Sequence, residues 1–417
     1  MTRLSYSFVA WFNVALILLL LPAGALAQTN RFVVKDNPNP VPPYTSWEDA
    51  APDIQLAVNA AGDGDTVWIA PGHYIAPAVP VEWNGDNVVF IDKPLTLRSS
   101  NNVPDSVIID GGGVNRGIAA DLSGTAVIVG LTVSNCYPAL AGGGLRTGGS
   151  TTLTVSNCVV TSNQSDGSGG GIYAAGPAAI LSSRIEGNMA AVNGGGISHV
   201  SDLTIANSYI GYNDADSRGG GVYNSANILL LVTDTIIDYN RANRGGGGIY
   251  SQSGDNVVSN SVLRGNQSFL VDSHENDGNA MYLRQNRAVL YNVLIVANHG
   301  ATGTAIYMHV PTGTPSYDLR LYNCTLAYNT GSGQNLIRFR RNPGAQSYFH
   351  MYNTILYYNS RPITIPTSYT DVYFSNCCYD PARDNLDAHP GGDHTTLPPN
   401  FFDGPNGNYH LVPPSPC

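Results

Sequence analysis

The sequence predicts an all-β protein, a single-stranded right-handed parallel β-helix (a solenoid) with an N-terminal capping helix. The main observation is a pattern of Asn, Ser or Asp, then an aliphatic residue three positions later, then Asn three positions after that, which occurs eight times. Successive closing asparagines stand 25 to 32 residues apart, a period typical of stacked repeats. They are Asn163, Asn188, Asn213, Asn240, Asn266, Asn298, Asn329 and Asn359.

Two further observations supply the strands and corners of each coil. Apolar residues recur at every second position before each repeat, as in Leu153 and Val155, and this alternation indicates a strand. Glycine triplets precede an aliphatic residue in five coils, and glycine adopts the positive φ of a corner at least cost. Alternatively, the glycines leave a bare flank that a polymer can approach. The triplets are Gly142–Gly144, Gly169–Gly171, Gly194–Gly196, Gly219–Gly221 and Gly246–Gly248.

Three short strands and their corners make one coil of such a helix. About twelve coils at a spacing of ~4.8 Å predict a rod of roughly 55 Å, and crossover chirality makes it right-handed. A leucine-rich repeat shares the period, but glycines occupy the place of its bulky convex segment. Calcium-binding nonapeptide repeats need a shorter period and a repeated Asp, which these triplets lack.

Residues 1–27 have the features of a secretory signal peptide. Arg3 provides a positive start, an apolar run extends over Val9–Leu21, and Ala25-Leu26-Ala27 forms a cleavage site, so the mature chain should begin at Gln28. The alternative is an uncleaved anchor helix, although the run is short for a membrane span. We therefore expect a secreted or cell-surface protein with no membrane span after cleavage.

A helix is expected before the first coil. Ser46 can cap it, Asp49 stands where a capping box requires, and Gly62 ends it, although Pro52 allows a later start. An amphipathic helix here would cover the open end of the first coil. The expected regions are a linker at 28–45, the β-helix with its cap at 46–379, and an irregular tail at 380–417.

The charge balance excludes one class of partner. The net charge is −10, and only Lys35 and Lys93 among the 20 basic residues are lysines. The sequence contains no basic run, so it lacks the electrostatic signature of a nucleic-acid-binding protein.

The recurring asparagines have a structural and a functional interpretation. A stacked column satisfies each buried amide from its neighbours, whereas a row of exposed amides could bind sugars or ions. Regular recurrence favours the structural ladder, because a catalytic site needs one constellation rather than many copies.

A tyrosine follows the aliphatic residue after most of the glycine corners. If the aliphatic side chain points inward, its neighbour points outward, so these rings should form an exposed row. A flat aromatic row suits sugar rings, while solvated strand residues chosen for β-propensity are the alternative. The candidate carbohydrate-binding residues are Tyr173, Tyr223, Tyr250, Tyr282 and Tyr307.

One coil is longer than the others and carries acidic residues. The candidate catalytic residues there are Asp272, His274, Glu275 and Asp277. They could form an acid/base pair or bind Ca²⁺ through oxygen atoms, and a solvated polar loop is the alternative. Arg284 and Arg287 are close enough in sequence to pair with them. We expect no cofactor. If Ca²⁺ binds at all, this acidic cluster is the place where the sequence offers ligands for it.

A basic cluster near the C-terminal end is a second candidate. Arg338, Arg340 and Arg341, together with His350, could form an anion-binding patch.

The cysteines divide into two groups. Cys136 and Cys158 follow asparagines in what look like neighbouring coils, and parallel stacked side chains point the same way, so we expect thiols there. Cys377 or Cys378 paired with Cys417 would connect the tail to the solenoid.

Several motifs resemble known families. Gly-Gly-Gly-Ile-Tyr with Ile-x-x-Asn resembles the repeats of chlamydial-type polymorphic outer-membrane proteins, with Ile or Leu in place of Phe. Other segments resemble secreted pectin-lyase-like β-helix proteins, so that the likeness covers about residues 45–417. These segments are Gly64–Tyr74, Lys93–Arg98, Ile109–Gly113, Asn400–Asp403, Tyr409–Leu411 and Ser415–Cys417.

The departures from these families concern activity. The chain has no matched set of the carboxylates and arginine that pectate lyases use. Asn298-His299-Gly300 and Arg184-Ile185-Glu186 approach the motifs of polygalacturonases without fitting them. No segment could build the membrane barrel of the polymorphic proteins. The family's tail usually continues past Ser-Pro-Cys, which implies truncation at Cys417.

We therefore expect a secreted or cell-surface β-helix that binds a polysaccharide or cell-surface glycan, or adheres to surfaces, without catalysis. One alternative is a polysaccharide lyase or glycoside hydrolase with a divergent active site. The other is a structural surface spacer.

Overall fold

The computed structural model describes most of the chain after the predicted signal peptide. The described residues are 29–75, 79–81, 85–269, 278–284, 286–301, 304–311, 316–331, 335–341, 346–363, 370–384, 386–404 and 408–417. The predicted signal peptide and the acidic candidates at 272–277 lie outside these residues.

The chain folds as an all-β, right-handed parallel β-solenoid of about ten turns. The N-terminal coils contain elements besides the regular strands. The antiparallel pair Val79–Val81 and Gly85–Ile91 and the short 3₁₀ segment Pro104–Ser106 take up residues there.

Sheet 1 receives two strands from most coils, and these strands fuse into one long strand in two coils. Among the described residues it has 23 strands. They are Asn30–Val33, Thr66–Ile69, Val79–Val81, Gly85–Ile91, Leu95–Ser99, Arg116–Ala120, Gly124–Val129, Leu145–Thr147, Thr151–Ser156, Ile172–Ala174, Ala178–Leu181, Ile197–His199, Leu203–Ala206, Val222–Thr233, Ile249–Ser259, Met281–Arg284, Asn286–Tyr291, Ile306–Val310, Ser316–Tyr322, Ile337–Arg341, Gln346–Tyr352, Thr370–Ser375 and Gly391–Gly392.

The other faces of the solenoid are narrower. Sheet 2 comprises Gly72–Tyr74, Val107–Asp110, Thr132–Ser134, Val159–Thr161, Arg184–Glu186, Tyr209–Gly211, Ile236–Asp238, Val262–Arg264, Leu294–Val296, Thr325–Ala327, Ile355–Tyr357 and Cys378–Tyr379. Sheet 3 comprises Gln164–Ser165, Met189–Ala190, Asp214–Ala215, Arg241–Ala242 and Gln267–Ser268. The strands His299–Gly300 and Thr330–Gly331 form a further parallel pair.

Alternating aliphatic residues fill the interior, as the period of two predicts. Val155, Ile180 and Ile205 stack in register and are fully buried. They belong to one continuous apolar core that extends from Val33 to Leu386. Burial on this scale is the main stabilising contribution to the fold.

The predicted asparagine ladder is present and buried. Seven amide–amide hydrogen bonds of 2.9–3.1 Å join the eight asparagines from Asn163 to Asn359, each Nδ2 donating to the Oδ1 of the next coil. Each Nδ2 also donates to a backbone carbonyl of the preceding coil, for example Asn213 to Ile185 at 2.9 Å. The ladder therefore satisfies its own buried polar groups.

The glycine triplets support both the corner and the ladder. The first glycine of a triplet has a positive φ, such as 67° at Gly194. The third packs on the ladder, and a Cβ on Gly196 would lie 2.9 Å from the Asn213 Nδ2. Side chains at the third position would therefore displace the buried amides.

A second ladder, which was not expected from the sequence, runs beside the first. The backbone amides of Ser183, Ser208 and Thr235 each donate to the hydroxyl of the next coil at 3.2–3.3 Å. Cys158 begins this column by donating to the Ser183 hydroxyl at 3.1 Å. The signal for it was the Ser, Thr or Cys that directly follows most opening Asn-type positions.

Cys136 and Cys158 are buried thiols, as predicted, but they do not occupy equivalent positions. Thr132 pairs with Val159, so Cys136 stands in the asparagine column, and its amide donates to the Asn163 Oδ1 at 3.2 Å. Burial raises the pKa of Cys136 to about 12 and that of Cys158 to about 11. In the register of the coils, each thiol occupies the place of a ladder residue at the N-terminal end of its column.

The helix before the coils is Ile54–Ala60, and it begins later than Ser46. Asp53 caps it by accepting a hydrogen bond from the Leu56 amide. The expected capping box forms only a bend, because Ala51 is drawn into a bridge with Val33 and Pro52 follows. Three helix residues are buried in the common core, while the helix's role as a cap stays a prediction.

The segment expected to be a linker contains a strand. Asn30–Val33 pairs in parallel with Thr66–Ile69, so sheet 1 begins inside the 28–45 region.

The C-terminal tail is more ordered than expected. Gly391–Gly392 joins sheet 1, and Phe401–Asp403 pairs with Asn408–Leu411 in an antiparallel hairpin. A disulfide between Cys378 and Cys417 ties this tail to the last coil, which confirms one of the two predicted pairings.

Candidate functional site

The predicted tyrosine row occupies a single column of sheet 1. Strand pairing places Tyr223 opposite Tyr250, Tyr250 opposite Tyr282, and Tyr282 opposite Tyr307. Ser198 interrupts the column between Tyr173 and Tyr223. The register expected from the repeat is therefore correct.

The expected exposure of this row is wrong for three of its members. Tyr250, Tyr282 and Tyr307 are at most 1% exposed, whereas Tyr173 and Tyr223 remain partly exposed. From Tyr223 onward the ring centroids lie 5.3, 4.5 and 5.0 Å apart along the column. The rings cover one another's faces, so sugar rings cannot stack on them.

Arginine side chains cover part of the same column. The guanidinium carbons lie 5.8, 5.5 and 5.6 Å from the ring centroids in the pairs Arg146–Tyr173, Arg218–Tyr250 and Arg338–Tyr307. These distances are within the range of cation–π attraction. This surface therefore offers guanidinium donors and ring edges rather than flat aromatic faces.

The structure describes only one of the two charged candidates, so the acidic cluster stays a prediction. The acidic cluster lies outside the described residues, and Arg284 has His309 as its register partner. Arg338 and Arg340 pair with Tyr307 and His309. His350 instead pairs with Arg320 and lies 3.8 Å from the Asp371 carboxylate, so it is not a strand partner of Arg338, Arg340 or Arg341.

A second tyrosine row is at least partly exposed along its length, and the sequence-based predictions did not include it. Tyr291, Tyr322 and Tyr352 pair in register at the ends of sheet 1 strands. Their rings are nearly parallel, with centroids 4.6 and 5.0 Å apart, and Tyr291 is 42% exposed. The sequence does contain a pattern that predicts this row, because a tyrosine directly precedes the first asparagine of the repeat in three successive coils.

This row presents hydroxyl groups beside a charged pair. Arg320 makes an ion pair with Asp318 at 2.7 Å, and its guanidinium interacts with Tyr322. Because stacking covers the inner ring faces, the outward groups are ring edges and hydroxyls. They suit hydrogen bonding to a polar polymer.

A third set of tyrosines stands at the corner after sheet 2. Tyr212 and Tyr239 stack at 5.3 Å, and Tyr328 and Tyr358 at 5.1 Å. All four have φ between 50° and 57°, which is uncommon for bulky residues. The C-terminal hairpin lies over Tyr328, where Tyr409 approaches it with centroids 5.8 Å apart.

The described residues place no three His, Cys, Asp or Glu side chains where they could share a metal ion. In the same part of the chain, no helix is long and apolar enough to cross a membrane.

Comparison with known proteins identifies the repeats. The Chlamydia polymorphic membrane protein repeat matches residues 157–175 and 234–252. The crystal structure of pectate lyase Pel9A aligns over 94% of this chain and 91% of its own, with 12% identity and a TM-score of 0.47. A search of curated proteins found no significant match. The chain thus carries repeats of the Chlamydia type on a parallel β-helix.

Proposed function

We propose that this protein is a secreted or surface-exposed β-helix that binds polysaccharide, or adheres to glycan-coated surfaces, without catalysis. The observation that carries the proposal is the row of Tyr291, Tyr322 and Tyr352, which is exposed at Tyr291 and partly exposed at the other two. The row repeats at the coil spacing on the outside of sheet 1. Partly exposed Tyr173 and Tyr223 of the predicted row are further candidate contacts on the same sheet.

The repetition of the row matters because a polymer also repeats. Several weak contacts to one chain raise its affinity without a deep pocket, since each later contact is intramolecular. The match to a repeat named for Chlamydia membrane proteins supports a location at the cell surface. The predicted signal peptide supports export.

The test is a polysaccharide array screened for both binding and degradation. Changing Tyr291, Tyr322 and Tyr352 together to Phe removes the hydroxyls and preserves the stack. At about 1 kcal/mol for each hydrogen bond, the triple variant should bind its best polysaccharide at least about tenfold more weakly.

A matched control changes an exposed stack elsewhere on the solenoid. Tyr212→Asn combined with Tyr239→Asn keeps residues that tolerate positive φ and should leave polysaccharide binding unchanged. A parent protein that binds no glycan would favour the spacer alternative. Release of shorter sugars, lost on changing Asp272 or Glu275, would support the enzyme alternative.

A further inference from the structure

A cavity of about 470 Å³ lies between the solenoid and the C-terminal hairpin. This volume falls within the range of small-molecule sites. Its polar lining is formed by Asn292, Asn323, Thr325, Asn408, Tyr409 and His410.

The two walls of the cavity come from distant parts of the chain. One wall is the outer corner after sheet 1, where Asn292 and Asn323 are exposed with φ near 52°. The other is the hairpin, which packs on Tyr328 through Tyr409. The cavity therefore depends on the docked tail.

The side-chain amides of the two corner asparagines that line the cavity bond to other coils rather than to each other. Asn292 donates to the Asn260 Oδ1 at 3.0 Å, and Asn353 donates to the Asn323 Oδ1 at 2.9 Å. Within the described chain, no bond joins Asn292 to Asn323. At this step of the corner, the Asn323 Nδ2 is a donor and the Asn292 Oδ1 is an acceptor that are not bonded to each other.

We propose that this cavity binds one uncharged sugar unit of a glycan chain. A sugar hydroxyl both donates and accepts, so it can accept a hydrogen bond from the Asn323 Nδ2 and donate one to the Asn292 Oδ1. Among the lining residues of the described chain there is no Asp, Glu, Lys or Arg, so the site offers no fixed charge to an anionic sugar. Tyr409 supplies the aromatic surface that sugar rings favour.

The second tyrosine row adjoins the corner asparagines of the cavity along the chain. Tyr291 and Tyr322 directly precede the two corner asparagines, so further units of the same chain would run along that row. The inference thus rests on the proposed function and names the end at which the glycan is anchored.

The test uses neutral oligosaccharides derived from cellulose, mannan and dextran, with oligogalacturonate as the charged comparison, titrated calorimetrically into the mature chain. Asn323→Asp keeps the side-chain shape and the acceptor for Asn353, but it removes the donor and adds a charge. We expect at least a tenfold loss of affinity for the best neutral oligosaccharide.

Asn207→Asp is the matched control. Asn207 has the same exposed corner conformation, with φ of 50°, and lies outside the cavity; Asp234 occupies the same corner in the next coil. This control should bind like the parent. Unchanged affinity in Asn323→Asp, or a preference for oligogalacturonate, would overturn the inference even when the array shows polysaccharide binding. An array without any binding would instead remove the proposed function.

Discussion

An asparagine inside the buried ladder uses its full hydrogen-bonding capacity. The Asn213 Nδ2 donates to the Asn240 Oδ1 and to the Ile185 carbonyl, both at 2.9 Å. Its Oδ1 accepts from both the backbone and the side-chain nitrogen of Asn188 at 3.0 Å. A polar column in the interior is tolerated because every member is paired.

We expect Asn213→Leu to lower the free energy of unfolding by about 1–3 kcal/mol, because it leaves buried donors and acceptors unpaired. Denaturant unfolding at equilibrium would measure the change. Asn59→Leu, on the exposed face of the helix, is the control and should shift stability by less than about 0.5 kcal/mol. Equal shifts in the two variants would contradict the ladder's contribution.

His199 is a second buried polar residue, and its burial has a consequence for pH. It is fully buried, with its Nδ1 2.8 Å from the Ser201 carbonyl, and desolvation lowers its pKa from 6.5 to about 4. Between these values the unfolded chain binds a proton that the folded chain does not. Stability is therefore present above pH 6.5 and is lost as the pH falls toward 4.

The expected loss from His199 between pH 7 and pH 4 is roughly 2–3 kcal/mol. His199→Asn introduces the residue type that Asn224 provides at the same place in the next coil, and it should reduce this pH dependence by that amount. Unfolding midpoints of both proteins across the range would show it. Identical pH dependence in parent and variant would mean that folding does not lower the pKa of His199.

At the scale of a single element, the two tyrosine rows differ in what their rings touch. Tyr282 lies inside its stack and its hydroxyl is 3.0 Å from the His309 Nδ1. Tyr291 ends its stack on the exposed side of sheet 1. The same residue type therefore serves packing in one column and solvent contact in another.

We expect Tyr282→Ala to destabilise the protein by about 3–5 kcal/mol, as removal of a buried aromatic ring does. Tyr291→Ala should cost about 1 kcal/mol or less, because the ring is already partly in water. Chemical denaturation of the two variants gives the comparison. If Tyr282→Ala lowered the stability only slightly, Tyr282 would be exposed, as the sequence pattern predicts.

At the scale of the whole molecule, the solenoid and its tail are held by different forces. Each coil contacts its neighbours through strands and ladders, so solenoid stability is a sum of local terms. The tail is joined to the last coil by the Cys378–Cys417 disulfide and by the aromatic contacts of its hairpin.

We expect Cys378→Ala combined with Cys417→Ala to destabilise the tail by roughly 4 kcal/mol, because the disulfide closes a loop across 39 positions. Hydrogen exchange should then accelerate in residues 386–417 while the ladder amides keep their protection. Cys324→Ser, at a buried free thiol, should leave the tail unchanged. Accelerated exchange throughout the solenoid would show that the tail stabilises the whole protein.

The coil period, the inner asparagine ladder and the common column of Tyr223, Tyr250 and Tyr282 can all be predicted from the amino-acid pattern. Each of these features repeats along the chain, and a repeat of side-chain types imposes the same neighbours in every coil. Local patterns also identified the free thiols of Cys136 and Cys158 and the Cys417 disulfide partner to within one residue.

Which of these side chains face water depends instead on how the coils pack in three dimensions. The exposure of Tyr291 against the burial of Tyr282, and the column of Cys136, depend on the register and stacking of neighbouring coils. The packing of Tyr409 on Tyr328 depends on contacts between residues far apart in sequence. No periodic pattern encodes such contacts, because each is made only once.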